Sequence, residues 1–124
     1  MPLLWRGTDL AFVRGNYGRA EMLLGVLIWV EHDDVEPHVL KAWLEWSEAK
    51  GLAMERKPYM RKLRAAVKTY RAGREHHPHD WRICYEEGMM WESFGDEEKS
   101  REAYRRSRER GYPYPEHMKT AKVR

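Results

Sequence analysis

DWRICYEEGMMWESFGDEEKSREAYRRSRERGYP, residues 80–113, reads as a helix, a tight turn and a second helix. Asp80 suits the first cap, because a carboxylate there accepts from the free N–H groups of the opening turn. Gly95 ends that helix, since glycine enters the left-handed conformation without a Cβ penalty. Asp96, Glu97 and Glu98 then put negative charge at the positive end of the next helix. That helix runs to Arg110 and stops at Gly111-Tyr112-Pro113. Gly88 and Trp91 share a face of the first helix, and Ala103 and Tyr104 share one of the second, so the pair closes as an antiparallel hairpin.

The rest of the chain repeats this pattern less cleanly. Upstream, Leu3 to Val13 predicts a short helix and Gly15-Asn16-Tyr17-Gly18 a turn. Arg19 to His32 is almost continuously apolar, which predicts a central helix covered by neighbours on most sides. Pro37 opens a third helix, with Asp34 or Glu36 helping to cap it and Gly51 as its stop. Pro58 opens a fourth, with Met60, Leu63, Val67 and Tyr70 on its apolar stripe, ending at Gly73 and the run His76-His77-Pro78-His79. No segment alternates with period two, so no strand is expected. The expectation is one all-α domain over 1–124: six helices in three stacked antiparallel hairpins near 3–34, 37–75 and 80–110. A short tail over 112–124 holds a turn or two between Glu116 and Arg124. The second helices begin near Tyr17, Tyr59 and Glu97, a spacing typical of helical-repeat arrays.

The third hairpin resembles a tetratricopeptide repeat. Gly88, Trp91, Gly95-Asp96, Tyr104 and Pro113 stand at or beside that family's preferred positions; Gly15-Asn16-Tyr17 with Ala20, Leu24 and Leu27 is similar to its turn and second helix. The middle hairpin fits only at Ala66, Tyr70 and Pro78. Ser100 and Ser107 stand where the family usually has Ala, and Glu87 where it is usually apolar, so the last helix packs with more polar groups. The resemblance implies a right-handed array whose first helices line a concave face; on the third hairpin that face would present Arg82, Tyr85, Met89 and Glu92. A weaker likeness, to helical activator domains of bacterial transcription regulators, rests on the hairpin followed by Gly111-Tyr112-Pro113-Tyr114-Pro115-Glu116.

Composition sets the bounds. The chain has 124 residues, 42% hydrophobic and 35% charged, enough for one modest core and unlike a disordered tail. Two Phe against six Trp and seven Tyr means that amphipathic rings supply much of the buried area. A single cysteine excludes an internal disulfide framework, and no signal peptide or membrane-length apolar run is present, so a cytoplasmic protein is expected. The net charge of +3 is uneven: between Arg56 and Arg74 there are eight Lys/Arg residues and no acidic one.

Four features invite chemistry. Arg61, Arg64, Lys68 and Arg71 form a basic stripe at helical spacing, able to grip carboxylates or phosphates if it faces a groove and merely solvated if it does not. Exposed aromatics interleaved with it would favour nucleic acid. His76, His77 and His79 beside Asp80, and His32-Asp33-Asp34 with Glu36 and His38, have metal-ligand types, but ligands crowded into one turn seldom make a structural site. Cys84 lies inside a helix with nothing to stabilise a thiolate, which reads as a small buried hydrophobe. Glu86-Glu87 and Glu97-Glu98 diverge on their helices and carry no acid–base signature. Trp29, Trp43, Trp81 and Trp91 are expected in the core; Trp5 and Trp46 are harder to bury, which makes Trp46 a further binding candidate.

The expected function is therefore a non-catalytic adaptor that takes a protein segment against Arg82, Tyr85, Met89 and Glu92, with no cofactor and no metal. Arg, Tyr and Met are enriched at interfaces. Nucleic-acid binding through the basic stripe is the alternative, followed by a metal-dependent enzyme using the histidines. Apolar ends on a short array also make self-association through a terminal helix an expectation.

Overall fold

The structure, a computed structural model, describes residues 2–31 and 33–113, with side chains from Trp5 onward. His32 and the tail segment Glu116 to Arg124 lie outside the described residues. Six helices account for nearly all of the rest: α1 Pro2–Val13, α2 Tyr17–Val30, α3 Glu36–Met54, α4 Met60–His76, α5 Trp81–Ser93 and α6 Glu97–Glu109. No strand occurs among the described residues. Consecutive helices pair as α1/α2, α3/α4 and α5/α6, and the hairpins join where α2 meets α3 and where α5 meets both α3 and α4.

One device closes three helix ends that the sequence marks with glycine. Gly15, Gly95 and Gly111 all have positive φ (73°, 78° and 98°). In each case the next residue's N–H reaches back to a carbonyl five residues earlier: Asn16 to Ala11, Asp96 to Trp91 and Tyr112 to Ser107. Asn16 and Asp96 then cap the following helices, accepting from the backbone N–H of Arg19 and Lys99.

The end of α3 departs from expectation. The helix runs through Gly51 to Met54, and its closure sits at Arg56 instead, with φ 59° and Lys57 N–H bonded to the Leu52 carbonyl. Gly51 is exposed and has nothing near it, so helical bonding simply continues past it. Gly73 likewise does not end α4; it is buried inside the helix, where an added Cβ would come within 2.8 Å of Ile83.

Among the described residues, two of three apolar clusters join one hairpin to the next. Ala42, Ala49, Leu63, Ala66, Tyr70, Ile83 and Met90 unite α3, α4 and α5. Ala11, Ala20, Leu24, Leu27 and Leu44 unite α1, α2 and α3. Within the third hairpin, the Tyr104 ring lies where a Cβ on Gly88 would be, 2.6 Å away, so only glycine permits this approach. Ser100 and Ser107 donate from Oγ to the carbonyls of Gly88 and Trp81, stitching α6 to α5 rather than loosening it. Glu87 is buried against Arg74 of α4, an ion pair between hairpins.

The expectation for α2 and two tryptophans is overturned. α2 buries only Ala20, Leu24 and Leu27; Trp29 is 82% exposed, and Trp43 of α3 is also exposed. An apolar composition all round does not by itself recruit a cover: α1 and α3 reach one side of α2, and the side carrying Met22, Val26 and Trp29 faces outward.

Candidate functional site

Two adjoining hollows lie between α4 and α6, across the C-terminal part of α5. One, of about 630 Å³, has an apolar floor of Tyr59, Met60, Leu63, Val67, Trp91 and Phe94. The other, of about 950 Å³, continues from it along α6, sharing Val67, Arg71, Trp91, Asp96 and Lys99. Amphipathic spacing on α4 produces this groove. Leu63 turns into the core, Met60 and Val67 line the floor, and Arg64, Lys68 and Arg71 rise along one wall one turn apart.

Lys99 supplies charge from the opposite wall, its ammonium 4.5 Å from the centre of the Trp91 ring. Tyr59 stacks on Phe94 with ring centres 5.8 Å apart, and Lys50 stands 5.2 Å from the Phe94 centre while donating to the Ser93 carbonyl. These aromatic rings are thus already faced by groups of the chain itself. The groove is an apolar trough with a cationic wall on α4 and a mixed wall opposite, where Lys99 stands 3.9 Å from Asp96. Of the four stripe residues, Arg64, Lys68 and Arg71 line it; Arg61 is exposed outside both hollows.

A smaller hollow of about 380 Å³ lies between the first helices of the second and third hairpins, lined by Glu36, Val39, Trp81, Arg82, Tyr85, Glu86 and Tyr112. Burial pushes the Glu86 carboxyl up, helped by the negative charge of Glu36, and its Oε2 has no hydrogen-bond partner. Arg82 lies 3.7 Å from Glu36 and bonds Asp80 at 3.0 Å. Burial alone would raise the Asp80 carboxyl, but the hydrogen bonds from Arg82 outweigh it and hold it low.

The row Arg82, Tyr85, Met89 and Glu92 divides between two environments. Arg82 and Tyr85 line the smaller hollow. Tyr85 also stacks on Tyr112, with ring centres 4.8 Å apart, and Met89 packs into the same cluster with Tyr104. Glu92 accepts from the Tyr104 hydroxyl at 3.1 Å. Trp46 is half-buried against the core, its indole N–H donating to the Tyr70 hydroxyl at 3.0 Å, and it lines none of these hollows.

The histidines rearrange what the sequence suggests. His38, from the other His/Asp group, is buried at the start of α3 with its ring 5.7 Å from His76 and 5.6 Å from His77; His79 is exposed. Among the described residues no three His, Cys, Asp or Glu side chains converge in a way that would hold a metal ion. Burial holds the Cys84 thiol above its ordinary value, which suppresses a thiolate.

The sequence marks one wall of the large groove and, in the stripe Met60, Leu63 and Val67, half of its floor, but not the aromatic half or the far wall. Trp91 reads as core, while Tyr59, Phe94 and Lys99 sit beside helix ends where no periodicity marks them. The only available signal is that Tyr59 and Phe94 each flank a turn with an aromatic ring too large to leave bare. No protein-family model, curated protein or solved structure matches the chain.

Proposed function

We propose that the protein is a non-catalytic adaptor of tetratricopeptide-like build, and that the α4–α6 groove takes an amphipathic segment of a partner protein with acidic residues along its edges. One observation carries this reading: an apolar floor of Met60, Leu63, Val67 and Trp91 lies between a cationic wall of Arg64, Lys68 and Arg71 and an opposite wall where Lys99 stands beside Asp96. An apolar trough favours burial of a helix face or alternating side chains, and the cationic α4 wall selects carboxylates and orients the segment. The smaller hollow, with Glu36 and Glu86 beside Trp81 and Tyr85, suits a basic side chain of the same partner.

Selection from a displayed peptide library, followed by titration of the enriched peptides, tests the reading. Acidic, apolar sequences are expected, with binding weakened at least about tenfold by either Val67→Asp or Arg71→Glu. Enrichment of no sequence, or binding indifferent to both changes, would refute it.

The second reading is nucleic-acid binding, favoured by the alignment of Arg64, Lys68 and Arg71 along one wall. It is the weaker one because Lys99 faces Trp91 and Tyr59 covers Phe94, which takes up ring faces that bases would stack on. Steeply salt-dependent binding to single-stranded DNA or RNA would support it over the first.

A further inference from the structure

We infer that the outer face of α2 is an interface between two copies of this chain, packed antiparallel about a two-fold axis near the middle of the helix. Met22, Val26 and Trp29 recur at helical spacing on that face and are 57%, 39% and 82% exposed. Charge chooses the occupant. Exposed Arg14 and Arg19 flank the start of α2, and Glu31, Asp33 and Asp34 cluster at its end. This order opposes the helix's own dipole: the first turn has no acidic residue and the last turn no basic one. A second copy running the other way sets the acidic end of one α2 against the basic end of the other, at both ends simultaneously. A parallel pair would set like against like.

Shape agrees with the same register. Gly18 and Gly25 lie on the outward side, and an added Cβ at either meets nothing within 4 Å. No contact inside the chain calls for glycine there, although each weakens the helix by about 1 kcal/mol relative to alanine. Gly18 with Trp29, and Met22 with Gly25, share one midpoint, between Leu23 and Leu24. An antiparallel pair centred there seats each Trp29 over the partner copy's Gly18 position and each Met22 over its Gly25 position, large on small.

The test is sedimentation velocity on the full chain over a range of concentrations, with far-UV circular dichroism to verify folding. The wild type is expected to be a dimer, and Met22→Asp/Trp29→Asp a folded monomer. Arg14→Glu/Arg19→Glu and Asp33→Lys/Asp34→Lys are each expected to weaken dimerisation at least about tenfold. Mixed together, these two charge variants should form a heterodimer, because one is acidic at both ends of α2 and the other is more basic at both. A wild type that stays monomeric at high micromolar concentration overturns the inference. So does a dimer unaffected by the Met22/Trp29 change, which would place self-association elsewhere. A pair of charge variants that fails to associate on mixing, with both folded, overturns the antiparallel register.

Discussion

His38 shows how a single side chain records its surroundings. It is 1% exposed, and its Nδ1 has no hydrogen-bond partner. Burial, then the neighbouring His77 and His76, then Lys41, push its pKa down to about 4 from an ordinary value near 6.5. The folded chain therefore binds fewer protons at this site than the unfolded chain between those two values. By linkage, stability falls as pH drops through that window, by up to about 3 kcal/mol from this group alone. Urea unfolding measured at several pH values should show this decline in the wild type and a shallower one in His38→Leu. Equal slopes would mean that His38 titrates freely. The His38 reading as a candidate ligand came from its neighbours in sequence; its folded neighbours, His76 and His77, are reached only by folding α3 against α4.

At the scale of the element, helix ends were more legible than helix faces. Gly15, Gly95 and Gly111 each stop a helix, because a left-handed closure needs a residue that tolerates positive φ. The closure after α3 uses Arg56 in the same role, and this is why the helix overran the stop expected at Gly51. A non-glycine residue held at φ 59° is strained by about 1–2 kcal/mol, partly offset because glycine gains more freedom on unfolding. Arg56→Gly should therefore raise stability by about 0.5–1 kcal/mol, and thermal unfolding would check it. An unchanged or lower midpoint would mean that the Arg56 side chain contributes more than its backbone loses.

On the scale of the whole molecule, the hairpins are joined by polar as well as apolar contacts. The partly buried Arg74–Glu87 pair ties α4 to α5, and Thr69 donates to Glu45 at 2.6 Å between α3 and α4. Arg74→Ala strands the buried Glu87 carboxylate and should destabilise the fold by about 3–5 kcal/mol. The double change Arg74→Met/Glu87→Leu removes both charges and should lie within about 1 kcal/mol of the wild type. Equilibrium urea unfolding distinguishes these outcomes, and a double variant as unstable as the single one would show that the pair's hydrogen bonding is irreplaceable. Glu87 is a charged residue at a buried helix position, and the structure supplies the local reason: a guanidinium from the preceding hairpin meets it.

Local chemistry along the chain is enough to specify the six helices, their pairing into three hairpins, and where most of the turns fall. These features follow from local chemistry: glycine at left-handed closures, Asp and Asn at caps, and apolar residues at helical spacing. It also marked one wall of the groove, since Arg64, Lys68 and Arg71 share a face of one helix. Tertiary structure alone decided which apolar faces found cover. Trp29 and Trp91 look alike as large rings on helices, yet Trp91 is floor to a groove between α4 and α6 while Trp29 stands in solvent. Burial is a property of what a neighbouring helix reaches, and that depends on how hairpins stack rather than on any residue's own hydrophobicity.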